Sequence, residues 1–426
     1  MHKLLMKNAG PIEQCDINID DFTVFMGAQA SGKSTIAKSI FFFRTVKNDI
    51  MEAIIRKQGL YEADLSLLNI VTRIMRNKFL QIFGTSRALD SDLEMRYEYN
   101  DNTFVNITLR LNKGEDYVSP NYVYFEFSDN ISKFLREFNS KNVSLDEEKK
   151  KIINMLNVMF SDDYETIFIP AGRSLITLLT TQLNYIFTIM DEEQKRSIDF
   201  CTQKYIERIL RIRPNFDGGI IGYLDNKRST STFSFDYFLT RKCMEVVDEI
   251  LKGRYSFVSG EERLILKDDK YVKINFTSSG QQESVWIFNI IMYQLINNIK
   301  TFIILEEPEA HLYPDAQKKI IELLAMFKSN SNGLLLTTHS PYILGTVNNL
   351  LFANQIVKEM KNSNANDIVE NDRHIEFCNA YFVENGTIVD CIAEDGLIKN
   401  EIIDNASAEI NNEYDQLFSL AFGGED

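Results

Sequence analysis

Paired cysteines are missing from this sequence. The five it has, Cys15, Cys201, Cys243, Cys378 and Cys391, are scattered with no C-x-x-C pair. That spacing suggests neither a disulfide framework nor a zinc site, and buried free thiols are the expectation. No apolar run approaches the length of a membrane span, so no membrane partner is expected. The opening Met1-His2-Lys3-Leu4-Leu5-Met6-Lys7 lacks a signal-peptide pattern and runs straight into fold-like sequence, which reads as cytoplasmic. Positive charge is also short: 46 Lys and Arg stand against 61 Asp and Glu, a net charge of -15. A chain whose whole surface coats nucleic acid is thereby disfavoured, because that affinity comes mainly from neutralising phosphates. Two local basic faces stay open as nucleic-acid contacts, Lys204, Arg208, Arg211 on a predicted helix and Arg73, Arg76, Lys78, although each reads more readily as a solvated helix face. No internal repeat or long heptad run is visible, so the insertions are expected to be compact helical arms.

What is present is ordinary globular composition, 44% hydrophobic and 25% charged, over 426 residues. That length exceeds the usual single domain and predicts a head with an insertion or two lobes. Residues 1–45 read as the start of an α/β head, with two strands, a turn at Gly10-Pro11 and a third strand, Phe22 to Met26. Residues 46–90 are helical, with Ile50, Ile54, Ile55 and then Leu67, Ile70, Val71, Ile74 spaced for apolar faces. Over 91–173 the pattern predicts a β-hairpin (93 to 111), a strand from Tyr122 to Phe127, charged helices, and an apolar run, Tyr164 to Pro170, that looks like a central parallel strand. Residues 174–250 read as an inserted helical arm with a polar stretch from Gly218 to Ser234, and 251–426 return to the head. The tail predicts a hairpin, Asn379 to Val389, then a helical stretch to Phe422.

Gly27-Ala28-Gln29-Ala30-Ser31-Gly32-Lys33-Ser34-Thr35 fills every fixed position of G-x-x-x-x-G-K-[ST], and it sits between a strand and a helix. In that context backbone N–H groups at a helix N-terminus wrap a phosphate, helped by the helix dipole. Lys33 would reach the β- and γ-phosphates of a nucleoside triphosphate, and the Ser34 hydroxyl would ligate Mg²⁺. Phe302-Ile303-Ile304-Leu305-Glu306-Glu307 is a buried-strand pattern ending in two acids, the Walker B position. Glu306 would hold the metal, directly or through water, and Glu307 would deprotonate the attacking water. The alternative is an acidic strand end facing solvent. Gly333 to Thr338 predicts another buried strand, with His339 at its end either in the site or as a satisfied core histidine. Thr277-Ser278-Ser279-Gly280-Gln281 lies between a strand and a helix predicted to begin near Ser284, and is an anion site or simply a helix cap. Arg173, at the end of the Tyr164–Pro170 strand, either approaches phosphate or pairs with an acid.

Together these segments resemble the RecF, SMC and OLD group of ABC-type ATPases, especially short bacterial AAA-family ATP-binding proteins with S-S-G-Q and L-E-E-P-E-A-H-L-x-P. The likeness is specific over about 1 to 45 and 250 to 350 and vague elsewhere. Thr277 to Gln281 resembles the signature L-S-G-G-Q, with Ser279 for the first glycine and Thr277 for the leucine, and His339 matches the switch histidine. Arg173 stands where a Q-loop glutamine is expected, and the glutamine is absent. The resemblance implies a mixed α/β ATPase head with inserted helical arms, ATP and Mg²⁺ as cofactors, and a head-to-tail homodimer or higher oligomer. In such a dimer each signature, here Ser278, Ser279, Gly280 and Gln281, caps the γ-phosphate on the other subunit's loop. It further implies a switch controlling a separate effector such as a nuclease or toxin in anti-phage defence, or a repair ATPase acting on DNA. An OLD-type nuclease domain is not expected, since about 80 residues follow the switch region and contain no D-x-D pair. A transporter subunit fits poorly, given the long separation of Thr35 from Thr277.

Overall fold

The computed structural model describes residues 2–58, 65–85, 89–109, 123–138, 146–178, 185, 189–191, 194, 198–230, 235–266, 270–358, 360–361 and 363–399. β1 (His2–Ala9) and β2 (Ile12–Ile19) pair antiparallel, with Ala9 opposite Ile12 across the turn at Gly10-Pro11. β3 (Phe22–Met26) is buried along its whole length and leaves this pair for a different sheet. β4 (Glu94–Asn100), β5 (Thr103–Leu109) and β6 (Val123–Phe127) complete a five-stranded antiparallel sheet in the order β2-β1-β4-β5-β6.

The second sheet carries the motifs. β7 (Glu165–Ile169) joins it, while β8 (Arg254–Val258), β9 (Glu261–Ile265) and β10 (Tyr271–Lys273) form a separate three-stranded antiparallel sheet. With β11 (Thr301–Glu306), β12 (Gly333–Thr338), β13 (Asn379–Glu384) and β14 (Thr387–Asp390) the order is β14-β13-β3-β12-β11-β7. β13, β3, β12, β11 and β7 run parallel, and β14 turns back antiparallel. Register places Met26 beside Thr338, Thr337 beside Glu306, and Leu305 beside Ile169, so the carboxyl ends of four strands line one edge.

Such a sheet must be covered on both faces, and it is. Because successive side chains alternate across a strand, Val24, Ile167, Ile303, Leu305, Leu334 and Leu336 join one core, while Phe25, Phe168, Phe302, Ile304 and Leu335 join the other. The latter core also takes the antiparallel sheet and the apolar faces of α1 (Lys33–Arg44), α2 (Val46–Lys57), α3 (Leu67–Phe83), α4 (Asp129–Glu137) and α5 (Asp146–Met159). The former is built mainly from α6 (Phe200–Ile212), α7 (Gly219–Thr230), α8 (Tyr237–Leu251), α9 (Ser279–Ile296), α10 (Pro314–Ser329) and α11 (Pro341–Lys358). Among the described residues no helix is long and apolar enough to cross a membrane.

The α/β class read from the sequence holds, and four local expectations change. The Tyr164–Pro170 strand is parallel but lies at the end of the sheet order, its buried character coming from α6, which packs against it. Ile55 is exposed on α2, unlike Ile50 and Ile54. Lys78 is no solvated basic residue: it is buried and pairs with Asp49 at 2.5 Å. The helix after the signature starts at Ser279, not near Ser284, because Ser278 and Gln281 form a capping box. On α6, Lys204 pairs with Glu207, and Arg208 and Arg211 both reach Glu165. The five cysteines are free and buried. The tail hairpin turns at Asn385-Gly386, both at positive φ as such a two-residue turn requires. The helical stretch expected up to Phe422 falls beyond residue 399, outside the described residues, as do parts of the 174–250 arm.

Candidate functional site

The loop between β3 and α1 has a backbone that most sequences could not adopt. Gly27 has φ 143° and Gly32 φ 112°; a Cβ would lie 2.3 Å from the Val383 carbonyl at the first and 2.4 Å from Ile12 Cδ1 at the second. Glycine is therefore required at both positions. Ala30 is also left-handed, at φ 62°, a conformation that costs a Cβ-bearing residue energy and clusters at ligand sites. Ala28, Gln29, Ala30 and Ser34 are exposed, Ser31 and Thr35 half-buried.

Lys33 is 6% exposed and folds back on its own loop, donating to the carbonyls of Gly27 at 2.8 Å and Ala28 at 2.7 Å. Burial lowers its pKa, while the fields of Glu307, Glu309 and Glu306 act the other way. These three acids therefore face the loop's cation, as a phosphate-binding lysine beside a catalytic acid turn would require.

Glu306 ends β11 and is 5% exposed. One carboxylate oxygen, Oε2, accepts from the Ala171 N–H at 3.1 Å, and the other, Oε1, is buried without a hydrogen-bond partner among the described residues. A buried anion with an unpartnered oxygen is costly unless something else binds it. Glu307 follows at φ 45°, its N–H donating to the Thr337 carbonyl at 2.9 Å, which carries the side chain out of the strand. Glu307 Oε1 lies 3.6 Å from His339 Nδ1, beyond hydrogen-bond range in this state. Both side chains are partly solvent-accessible.

The signature residues start α9, which belongs to the core on one face of the sheet, whereas α1 belongs to the core on the other. Ser278 and Ser279 are exposed, Gln281 is half-buried, and Gly280 is buried where a Cβ would stand 2.6 Å from the His311 carbonyl. Glu306, Glu307 and His339 thus gather beside the phosphate loop.

Two positions beside the site, Glu309 and Glu283, carried no assigned role in the sequence, and Arg173 carried two alternatives. Glu309, 5% exposed, accepts through Oε1 from the Thr338 hydroxyl (2.6 Å) and the His339 N–H (3.1 Å), and its Oε2 is buried with no partner among the described residues. Its signal was its place in the Glu306-Glu307-Pro308-Glu309 run. Glu283, two residues beyond Gln281 in α9, caps the helical turn over residues 173–178 by accepting from the N–H groups of Arg173 and Ser174, both at 2.9 Å. Arg173 resolves toward acid pairing and not toward phosphate: it is fully buried, with Nε 3.3 Å from Glu283 Oε2.

No curated protein matches the chain in sequence. Among solved structures, the chain is similar to the SMC head domain of Pyrococcus furiosus with an extended coiled coil, bound to the C-terminal domain of ScpA, at 12% identity and a TM-score of 0.40, covering 96% of this chain and 100% of that one. A second SMC head, bound to the C-winged helix domain of ScpA, gives 13% identity and 0.41 over 92% of this chain and 98% of that one. The SMC head domain of Thermotoga maritima gives 12% and 0.35 over 91% and 97%. The AAA ATPase domain family matches residues 1–344. With most of its length inside that match, the chain belongs to the AAA ATPase domain family.

Proposed function

We propose that the chain is a Mg²⁺-dependent ATPase whose site is built from Gly27–Thr35, Glu306, Glu307 and His339, and is completed by Ser278–Gln281 of a second copy in a head-to-tail dimer. The observation that carries this reading is the shared carboxyl edge of β3, β12 and β11, which delivers the phosphate loop, His339 and the acid pair side by side. The position of α9 on the opposite face from α1 supports the in-trans role of the signature.

The residues present fit the metal. The unpartnered Glu306 Oε1 and the exposed Ser34 hydroxyl are hard oxygen donors, and Mg²⁺ bound with a nucleotide takes few protein ligands beside phosphate oxygens and water. When bound, the cation supplies charge neutralisation at the β- and γ-phosphates. The chain's own groups do the rest. The loop's N–H groups at the start of α1 bind phosphate oxygens. Lys33 exchanges the Gly27 and Ala28 carbonyls for those oxygens, trading neutral acceptors for charged ones. Glu307, turned out of the strand by its left-handed φ, accepts the proton of the attacking water. His339, held at its backbone by Glu309, steadies the γ-phosphate side of the reaction.

By resemblance, the nucleotide state controls a separate effector held by the helical arms, in the manner of anti-phage ATPases. Glu307→Gln tests the core of the reading: it should keep ATP, stop turnover and trap a dimer, whereas wild-type turnover would remove Glu307 from the reaction.

A further inference from the structure

Arg173 stands between the start of α9 and the Glu306-Glu307 turn. Its guanidinium is fully buried and its donors are engaged on both sides. Nε donates to the main-chain carbonyl of Glu283 at 2.9 Å, one η-nitrogen to the carbonyls of Pro170 (2.7 Å) and Glu306 (2.6 Å), and the other to the carbonyl of Glu307 at 2.8 Å. A planar fork of fixed geometry holds the carbonyls it bonds in fixed relation to one another. Thr177 adds a second clip, its hydroxyl donating to the Gln282 carbonyl at 2.8 Å. The segment after β7 is therefore a strut: one end grips the first turn of α9, the other grips the backbone that aims Glu306 and Glu307.

We infer that Arg173, with Glu283, is a positioning residue that couples the first turn of α9 to the Glu306-Glu307 turn, so that hydrolysis responds to what binds at Ser278–Gln281. This rests on the reading above, in which a partner's nucleotide meets those residues. Two further observations support it. Glu307 holds φ 45°, a conformation that persists in a residue with a Cβ only where its surroundings over-determine it, and Arg173 bonds the carbonyls on either side of that residue's N–H. A buried charge pair is also a weak stabilising device compared with apolar filling of the same space. Geometry, not stability, explains why a charged fork occupies this position.

The test uses the full chain. Arg173→Lys keeps the charge but replaces the fork by a single ammonium, and Thr177→Val removes one hydroxyl with little change of shape. ATP affinity and KM should stay at wild-type values, while kcat falls about 100-fold in Arg173→Lys and by less in Thr177→Val, as misplacement of reacting groups by about 1 Å would produce. In a Ser279→Arg background, which leaves only turnover that does not depend on the signature, the same changes should cost no more, because coupled positions are non-additive. Unchanged kcat in Thr177→Val together with a fully additive loss in the double variants would overturn the proposal. So would a loss of ATP affinity that matches the loss of kcat, which marks a merely structural residue. Wild-type turnover by Glu307→Gln would instead sink the underlying site, so the two failures are separable.

Discussion

The carboxylate of Glu309 accepts the main-chain N–H of His339 at 3.1 Å and, through the same oxygen, the hydroxyl of Thr338 at 2.6 Å. The turn after the acid pair is thereby tied to the end of the neighbouring strand, and the position of His339 depends on a side chain thirty residues earlier.

Glu309→Ala should leave the His339 N–H and the Thr338 hydroxyl without this acceptor, costing about 1–3 kcal/mol for each group left unsatisfied. Turnover should fall with it, while Glu309→Gln, which keeps one acceptor oxygen, should retain more of both. Thermal denaturation and kcat of the two variants check this; equal effects would contradict the positioning role.

Lys78 and Asp49 form a buried pair on α3 and α2, with Lys78 also donating to Thr45 Oγ1 at 2.8 Å and lying over the Phe42 ring. Lys78→Ala leaves a buried carboxylate alone and should destabilise the chain by about 3–5 kcal/mol. Lys78→Met with Asp49→Leu should recover most of that loss in the same denaturation experiment. A variant that stays stable but loses affinity for nucleic acid would restore the surface-face reading.

His2 is buried against Tyr97, whose hydroxyl lies 2.9 Å from Nδ1, and burial first, then the Arg44 cation, hold its pKa down to about 4, with Asp162 opposing. The folded chain keeps the ring neutral while the unfolded chain protonates near 6.5, so the stability this neutral ring contributes is present above pH 6.5 and is lost as the pH falls toward 4. At 1.36 kcal/mol per pKa unit the loss is about 3 kcal/mol. Asp49 works in the opposite sense, since burial raises its carboxyl to about 6 and the folded chain binds that proton first. Comparing His2→Gln with wild type isolates the histidine: the difference in unfolding free energy should shrink from pH 6.5 to 4. Parallel curves would contradict it.

Gly280 admits no side chain, because a Cβ would meet the His311 carbonyl at 2.6 Å. Gly280→Ala should therefore shift the start of α9 away from the turn that follows Glu309. ATP binding at Lys33 should survive, whereas ATP-driven dimerisation and turnover should fall. Nucleotide titration beside size-exclusion chromatography with ATP distinguishes this from a general folding defect.

The phosphate loop, the acid pair and the two buried strands were legible because their information is local: a fixed glycine spacing, an apolar run, an acid at its end. That β3, β11 and β12 are interior followed from the same runs, since all three are buried along their whole length, but their order and register did not. The start of α9 was placed five residues late, although Ser278-x-x-Gln281 fits a capping box and carries the signal for Ser279. Arg173, Lys78 and Glu165 were not legible, because what decides each is a distant partner. Arg173 meets Glu283 across 110 residues, Lys78 meets Asp49 across 29, and Glu165 meets Arg208 across 43. The edge position of β7 was hidden for a similar reason: its apolar run looks central because α6, a segment assigned to the arm, packs against it.

The central claim is that each site needs two copies, one giving Lys33 and the other Ser279. Mixing a Lys33→Ala chain with a Ser279→Arg chain tests it most directly, because a head-to-tail pair of the two contains one site with both residues intact. Lys33→Ala alone should be inactive, Ser279→Arg alone should keep only its low, signature-independent turnover, and the mixture should recover a substantial fraction of wild-type ATP hydrolysis. A mixture as inactive as its parts, or a Ser279→Arg chain that hydrolyses ATP normally by itself, would contradict the composite site.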